Sequence, residues 1–393
     1  MDWFRSKFVR NVIQATSGTA AANLLMLAAL PVLSRIYSPA EFGVFAIYMA
    51  VSIMLSGMAC AKYELAIPIP KEDGQAWHTL RLAMLVSVIV PLLVLIVLFA
   101  WLPESLANLG NWLYLLPIGI LLDASSRAFS FWLTRQGDFA WLACGRLIQV
   151  LTVITIQAFY GLNFGGCEGL VLGFLAGGLL LFLFNGWKVR ATRPMSELPP
   201  CDYRKLALRY QQYPRYLMLA HTGATFGSSL PVFFFGYYYG ESIAGLFAVA
   251  MRVIDRPVQL VGQAVFQVFY PEASRQYAQQ GNCAQLFTKT TRALSFFGIG
   301  LLLLMLTLAP WGARWLLGQE WAECGLMIQL LAPMLVLQLL HTPVSGLFMI
   351  ANKQHVDLIW TLLRVGLVVV GLSMGLVFDT PTVAVIGLSV AGS

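Results

Sequence analysis

Apolar residues run along this 393-residue chain in stretches of about 20, divided by short polar gaps. The runs fall at about 11–36, 43–67, 80–102, 112–133, 142–160, 167–187, 213–236, 242–270, 293–317, 326–350 and 356–378. A last run begins near Pro381 and stops at Ser393, too short to span alone, so it is expected either to be truncated or to end early. Each complete run is close to the roughly 20 residues a helix needs to cross a hydrocarbon core. Only helices and closed barrels satisfy their backbone in lipid, and barrel strands would be about half as long and alternate in polarity. The pattern therefore predicts an all-α polytopic membrane protein of about 12 transmembrane helices.

Charge sharpens this picture. Basic residues crowd every second gap. Arg5, Lys7 and Arg10 precede the first run, and Lys62, Lys71 and Arg81 surround the gap after the second. Arg135 and Arg146, then Lys188, Arg190, Arg193, Arg204, Lys205 and Arg209, then Arg275, Lys289 and Arg292, and finally Lys353 continue the ladder. The gaps between carry Arg35 with Glu41, then Glu104, Glu168, Glu241, Arg314 with Glu320 and Glu323, and Asp379. The positive-inside rule puts the N-terminus and all the basic loops in the cytoplasm. The first run is too long for the h-region of a cleaved signal.

The connection at about 188–212 is the only long polar stretch, and Pro194, Pro199 and Pro200 disfavour a continuous helix through it. It divides the chain into an N-terminal lobe (1–187), a cytoplasmic linker (188–212) and a C-terminal lobe (213–393). The lobes share faint similarity. Pro31–Phe45 (PVLSRIYSPAEFGVF) aligns with Pro231–Phe247 (PVFFFGYYYGESIAGLF) with a two-residue insertion, and Phe129–Gln136 lies near Leu347–Gln354. Two matches in the same order suggest a duplicated six-helix unit, parallel because six is even, with a cavity between the lobes.

Composition agrees: 59% of residues are hydrophobic and 11% charged, about half the charged share of a soluble protein. The net charge of +7 is spread between spans, a pattern for lipid headgroups rather than nucleic acid. Six cysteines without a CxxC pair and four scattered histidines suggest no metal site, and no cofactor is expected.

Candidate chemistry lies in polar stripes within the runs. Arg252, Arg256, Gln259, Gln263 and Gln267 follow spacings of four, three, four and four, one helical face with Asp255 at its edge. Counted from a start near Ser242, Arg252 lies about 15 Å in, near the bilayer midplane. A charge there costs about 2.5 kcal/mol or more unless it meets protein or water. Pro257 is expected to kink the helix beside the arginines. Fainter stripes are Asp123, Arg127, Ser130 and Thr134; Arg215, Thr222, Thr225 and Ser229; Asp357, Thr361 and Arg364; and Tyr48, Ser52, Ser56 and Tyr63. Serine and threonine stripes equally mark ordinary helix packing.

Each charge has a plainer reading beside the functional one. Asp123 could simply neutralise Arg127, and Asp255 could neutralise Arg252. Arg35 could snorkel from the outer end of its helix, and Arg146, Arg215 and Asp357 could serve topology at the inner ends. Lys62 and Glu64 could anchor the inner end of the second span. The candidate cavity set is Arg252, Arg256, Asp255, Gln259, Gln263, Arg364, Arg127, Asp123, Arg35, Lys62, Glu64 and Arg215. Arg252, Arg256 and Arg364 outweigh Asp255, so the preferred ligand is anionic; guanidinium forks suit phosphate or carboxylate.

Tyr37-Ser38-Pro39-Ala40-Glu41-Phe42-Gly43, followed by Lys62-Tyr63-Glu64-Leu65-Ala66-Ile67 before Pro70-Lys71, resembles the opening of the Wzx-type polysaccharide flippases, relatives of MATE exporters and MurJ lipid II flippases. Phe269-Tyr270-Pro271 resembles the matching point of the second lobe. Lys62 departs from the family, which often has Arg before Tyr-Glu. The resemblance implies a non-enzymatic flippase of the bacterial inner membrane that moves undecaprenyl-diphosphate-linked oligosaccharides outward. Arg252 and Arg256 would then receive the diphosphate. It also implies partners: membrane lipids, a polysaccharide polymerase with its chain-length regulator, and H+ or Na+ as candidate coupling ions. The alternative is a MATE-like exporter of small cations. A polymerase or ligase would need a sizeable outer loop with catalytic groups, whereas the longest one expected, about 311–325, offers no nucleophile–base pair.

Overall fold

The computed structural model of the chain describes residues 2–100, 111–194, 201–350 and 354–392. Among these there is no β-strand. The helices are α1 (Asp2–Ile36), α2 (Pro39–Ala59), α3 (Asp73–Ser87), α4 (Ile89–Ala100), α5 (Leu116–Gln136), α6 (Phe139–Asn163), α7 (Glu168–Ala191), α8 (Tyr203–Arg209) and α9 (Leu219–Tyr238). They continue with α10 (Glu241–Gln280), α11 (Ala284–Gly312), α12 (Ala322–Ile350), α13 (Gln354–Phe378) and α14 (Pro381–Gly392). The all-α polytopic architecture expected from the apolar runs is the one found.

Several boundaries differ from the runs, for local reasons. The third run begins at Asp73 rather than near 80, and its helix is interrupted at Val88. Pro91 has no N–H to give the carbonyl of Ser87, so the ladder breaks there. The 242–270 run extends to Gln280, because polar residues that cannot lie in lipid are still good helix formers. The helix stops where Gly281 takes the left-handed conformation (φ 66°) and donates to the Tyr277 carbonyl. The helix runs without a break through Pro257 and Pro271. The expected outer loop at 311–325 is mostly helical, with a π turn at Ala313–Leu317 and a 3-10 turn at Gln319–Trp321. The side chains of Arg5, Lys7, Arg10, Gln267, Asp357 and Thr361, and residues Glu104, Pro199, Pro200 and Lys353, lie outside those described.

Among the described residues, seven segments are long and apolar enough to cross a membrane. The long helices α5, α9 and α10 are less apolar than these segments. They carry the Asp123–Arg127, Thr222–Thr225 and Arg252–Gln263 stripes. Helices that trade apolar character for a polar face need somewhere other than lipid to put it.

The chain divides into two compact units, one of 1–37 with 44–230 and one of 38–43 with 231–393. In the first, α1 packs on α6, and both α5 and α6 pack on α7. The Tyr37 hydroxyl donates to the Gln157 carbonyl (2.7 Å) while Gln157 Nε2 donates to the Leu170 carbonyl (2.9 Å), tying three helix ends together. Trp132, Tyr48, Ile120 and Leu170 are fully buried there. In the second unit, α12 packs against α10, α11 and α14, around buried Trp321, Phe235, Ile254 and Leu331.

The first turn of α2 belongs to this second unit, where it meets the start of α10. A Cβ on Gly43 would overlap the carbonyl of Glu241, and one on Gly245 would overlap the carbonyl of Pro39. Each glycine faces the carbonyl four residues before its counterpart, a reciprocal crossing of the two aligned segments. Phe42 closes the contact edge-on against Trp321 (5.1 Å between centroids).

Candidate functional site

Below Ala59 the first unit builds a charged cluster from a strained turn. Ala61 (φ 47°) and Lys62 (φ 61°) are left-handed without being glycine, a cost of about 1–2 kcal/mol each. The 3-10 turn Tyr63–Ala66 that follows points its polar side chains inward. Lys62 is 7% and Glu64 3% exposed. Their charges lie 3.9 Å apart, Nζ to Oε1, while Glu64 Oε2 has no hydrogen-bond partner. Loss of water pushes the Glu64 carboxyl above its ordinary value, opposed by its backbone hydrogen bond and then by the Lys62 and Arg127 charges. The same desolvation pushes the Lys62 ammonium down, against the pull of Glu64. Burial also raises the neighbouring Cys60 thiol.

Helix α5 supplies the second pair. Arg127 Nη2 lies 3.1 Å from Asp123 Oδ2, one helical turn away, and Ser56 on α2 donates to the same carboxylate oxygen at 2.7 Å. The intrahelical pairing open at these positions is thus made, and it is bridged to a second helix. From α9, His221 comes within reach of the Lys62 and Arg127 charges, and its Nδ1 lies 3.4 Å from the Thr225 hydroxyl. Gly57 makes room for it: a Cβ there would sit 2.8 Å from His221 Cε1. A void of about 20 Å³ beside Asp123, Ser126 and Gln149 suits one water. Two cations, two anions and an imidazole from two helices and a turn, with Ser56 from a third helix, therefore form one constellation that is dry at Lys62 and Glu64 and partly exposed at Asp123 and Arg127. Proton exchange or rearrangement around an incoming charged group is the chemistry such a balanced cluster can do.

In the second unit the α10 stripe keeps its predicted face. Arg256, Gln259 and Gln263 are exposed along it, and Arg252 and Asp255 are half-buried. No ion pair joins Asp255 to Arg252 among the described residues; Arg256 is the cation acting on Asp255. Arg35, Arg364 and Arg215 are exposed and outside both groups, with Arg215 on a π turn (Tyr213–Met218) rather than within α9. Sequence reasoning missed His221, whose signal was its four-residue spacing from Thr225 on an already polar stripe. Ser56 belongs to a stripe that the sequence leaves open between packing and a polar role, and in the structure it is a partner of the Asp123 carboxylate. Arg135 looked like a topology charge but clamps the 68–73 loop, donating to the carbonyls of Pro68, Pro70 and Lys71 and to the Asp73 carboxylate.

The fold is similar to that of several solved transporters. One similar solved structure is an inward-facing multidrug resistance MATE family transporter (TM-score 0.72, 15% identity, 94% of this chain and 92% of that one). Another is the lipid II flippase MurJ in an inward closed conformation (TM-score 0.75, 15% identity, 97% and 85%). A third is a MOP superfamily transporter from Pyrococcus furiosus described as having a binding pocket of reverse polarity (TM-score 0.65, 15% identity, 98% and 92%). No curated protein sequence matches the chain. Residues 32–326 match the family described as polysaccharide biosynthesis protein, and the chain belongs to that family. It is a multi-span helical membrane protein, and its fold is similar to that of these solved transporters.

Proposed function

We propose that the protein flips undecaprenyl-diphosphate-linked oligosaccharide units from the cytoplasmic to the periplasmic leaflet of a bacterial inner membrane by alternating access. The observation that carries this reading is the exposed polar row Arg256, Gln259 and Gln263 on α10, a helix in which Arg252 lies about 17 Å from the start. Such a row is costly against acyl chains and cheap against water and glycan hydroxyls. Two arginines with one acidic neighbour favour a diphosphate over a cation. The family's description as polysaccharide biosynthesis protein supports the glycan part of the substrate. A cytoplasm-negative potential would assist outward passage of the anion by roughly 2.3 kcal/mol per charge per 100 mV across the full field.

Replacing Arg252 and Arg256 together by Ala should abolish surface glycan while the protein stays in the membrane at its normal level. Undiminished glycan in that double variant rejects the site. The alternative, MATE-like export of small cations, predicts efflux of a cationic dye; the flippase reading predicts none. A polymerase and chain-length regulator as partners, and H+ or Na+ as coupling ion, belong to the same proposal.

A further inference from the structure

At the basic end of the first unit, where α3 begins and α7 ends, the surface opens into a groove of about 700 Å³. Trp77, Arg81, Phe129, Phe182, Trp187 and Arg190 are among its lining residues. Both arginines and Trp187 are exposed, and Phe129 stacks on Phe182 (5.3 Å) as the apolar floor. Gly186 leaves the wall open above that floor, since a Cβ there would already touch the Phe129 ring at 3.3 Å. Trp77 is 8% exposed, and its indole nitrogen is buried without a hydrogen-bond acceptor in the protein. Its ring lies 6.0 Å from the Arg81 guanidinium.

We infer that this groove is a binding site for an anionic phospholipid, the phosphodiester between Arg81 and Arg190 and one acyl chain along Phe129 and Phe182. The depth fits: α3 and α7 lie in candidate spans, Arg190 is in the last turn of α7, and Arg81 lies about 12 Å along α3 against the same groove, the level at which Trp77, Trp187 and Tyr203 also sit and where such aromatics are favoured. The charge fits, because basic residues at this level are drawn to a net anionic lipid, whereas a zwitterionic headgroup brings its own cation, which competes with the two guanidiniums for the phosphodiester. The shape fits a chain attached to a headgroup better than a soluble ion, because the aromatic floor has nothing to offer a phosphate alone. The site is separate from the Lys62–Arg127 cluster and independent of what is transported.

The test is photocrosslinking in vesicles containing phosphatidylglycerol with a diazirine in its acyl chain, with the phosphatidylcholine analogue as control and crosslinked peptides mapped. Phosphatidylglycerol should label the segments 77–85 and 182–190, and phosphatidylcholine should not. Arg81→Gln with Arg190→Gln should cut that labelling by roughly tenfold or more, as for two basic residues at an anionic surface. Gly186→Leu, which fills the groove and keeps both arginines, should lose the labelling too. Equal labelling by the two lipids, unchanged labelling in the double variant, or displacement by free pyrophosphate would each overturn the assignment.

Discussion

The pairing of Lys62 with Glu64 can be tested by a double-mutant cycle using Lys62→Met, Glu64→Gln and both together. At 3.9 Å and an effective dielectric near 20, the attraction is about 4 kcal/mol. The side chains are only 9% and 3% exposed, so solvent screens this little. Removing one partner leaves a desolvated charge, which typically costs about 3–5 kcal/mol, whereas removing both leaves a less polar pocket of similar shape. Position 62 stays non-glycine throughout, so its left-handed strain cancels from the cycle. The expected result is that each single variant loses about 3 kcal/mol or more, with the double variant losing clearly less than the sum. At roughly 2 °C per kcal/mol, each single variant should melt about 6 °C lower. Unfolding can be followed in detergent with a thiol-reactive dye, because Cys60, Cys283 and Cys324 are buried until the protein opens. Additive losses would refute the reasoning. The pH dependence adds a second check. Between the ordinary glutamate value of 4.5 and the raised native one, the folded protein holds the Glu64 proton more tightly, so stability falls as pH rises through that window. Glu64→Gln should remove this fall. Lys62 acts oppositely at alkaline pH, where stability should rise between its lowered value and 10.5.

Two further outcomes follow from packing. Arg135→Lys keeps the charge but cannot span three carbonyls and a carboxylate. It should cost about 2 kcal/mol and speed tryptic cleavage after exposed Lys71; an unchanged cleavage rate would mean the clamp does not hold the loop. Gly245→Ala and Gly43→Ala should each destabilise by about 1–3 kcal/mol, since the obstacles are backbone carbonyls that cannot rotate away. The double variant should lose less than the sum, because the first methyl already separates the helices; full additivity in thermal midpoints would count against a shared contact.

Much of this was legible in one dimension. A run of about 20 apolar residues leaves the backbone no option but a helix, whatever surrounds it, so the spans could be read directly. The faces of α5 and α10 follow from the 3.6-residue period alone. Helix ends were less legible, as at Asp73 and Gln280, because polar residues outside lipid continue a helix without an apolar signal.

Chain order determined the helices, the charge ladder and which polar groups share a face. Tertiary packing decided which faces meet. It brought Ser56 to Asp123 and His221 to Lys62 and Arg127, turned Lys62 inward through a left-handed bend, and set the Gly43 segment against Gly245 in one unit although the sequence assigns them to different lobes. The reason is physical: periodicity is a property of a single backbone, whereas contacts between residues some 70 to 200 positions apart depend on how many side chains interlock at once, and no local pattern encodes that.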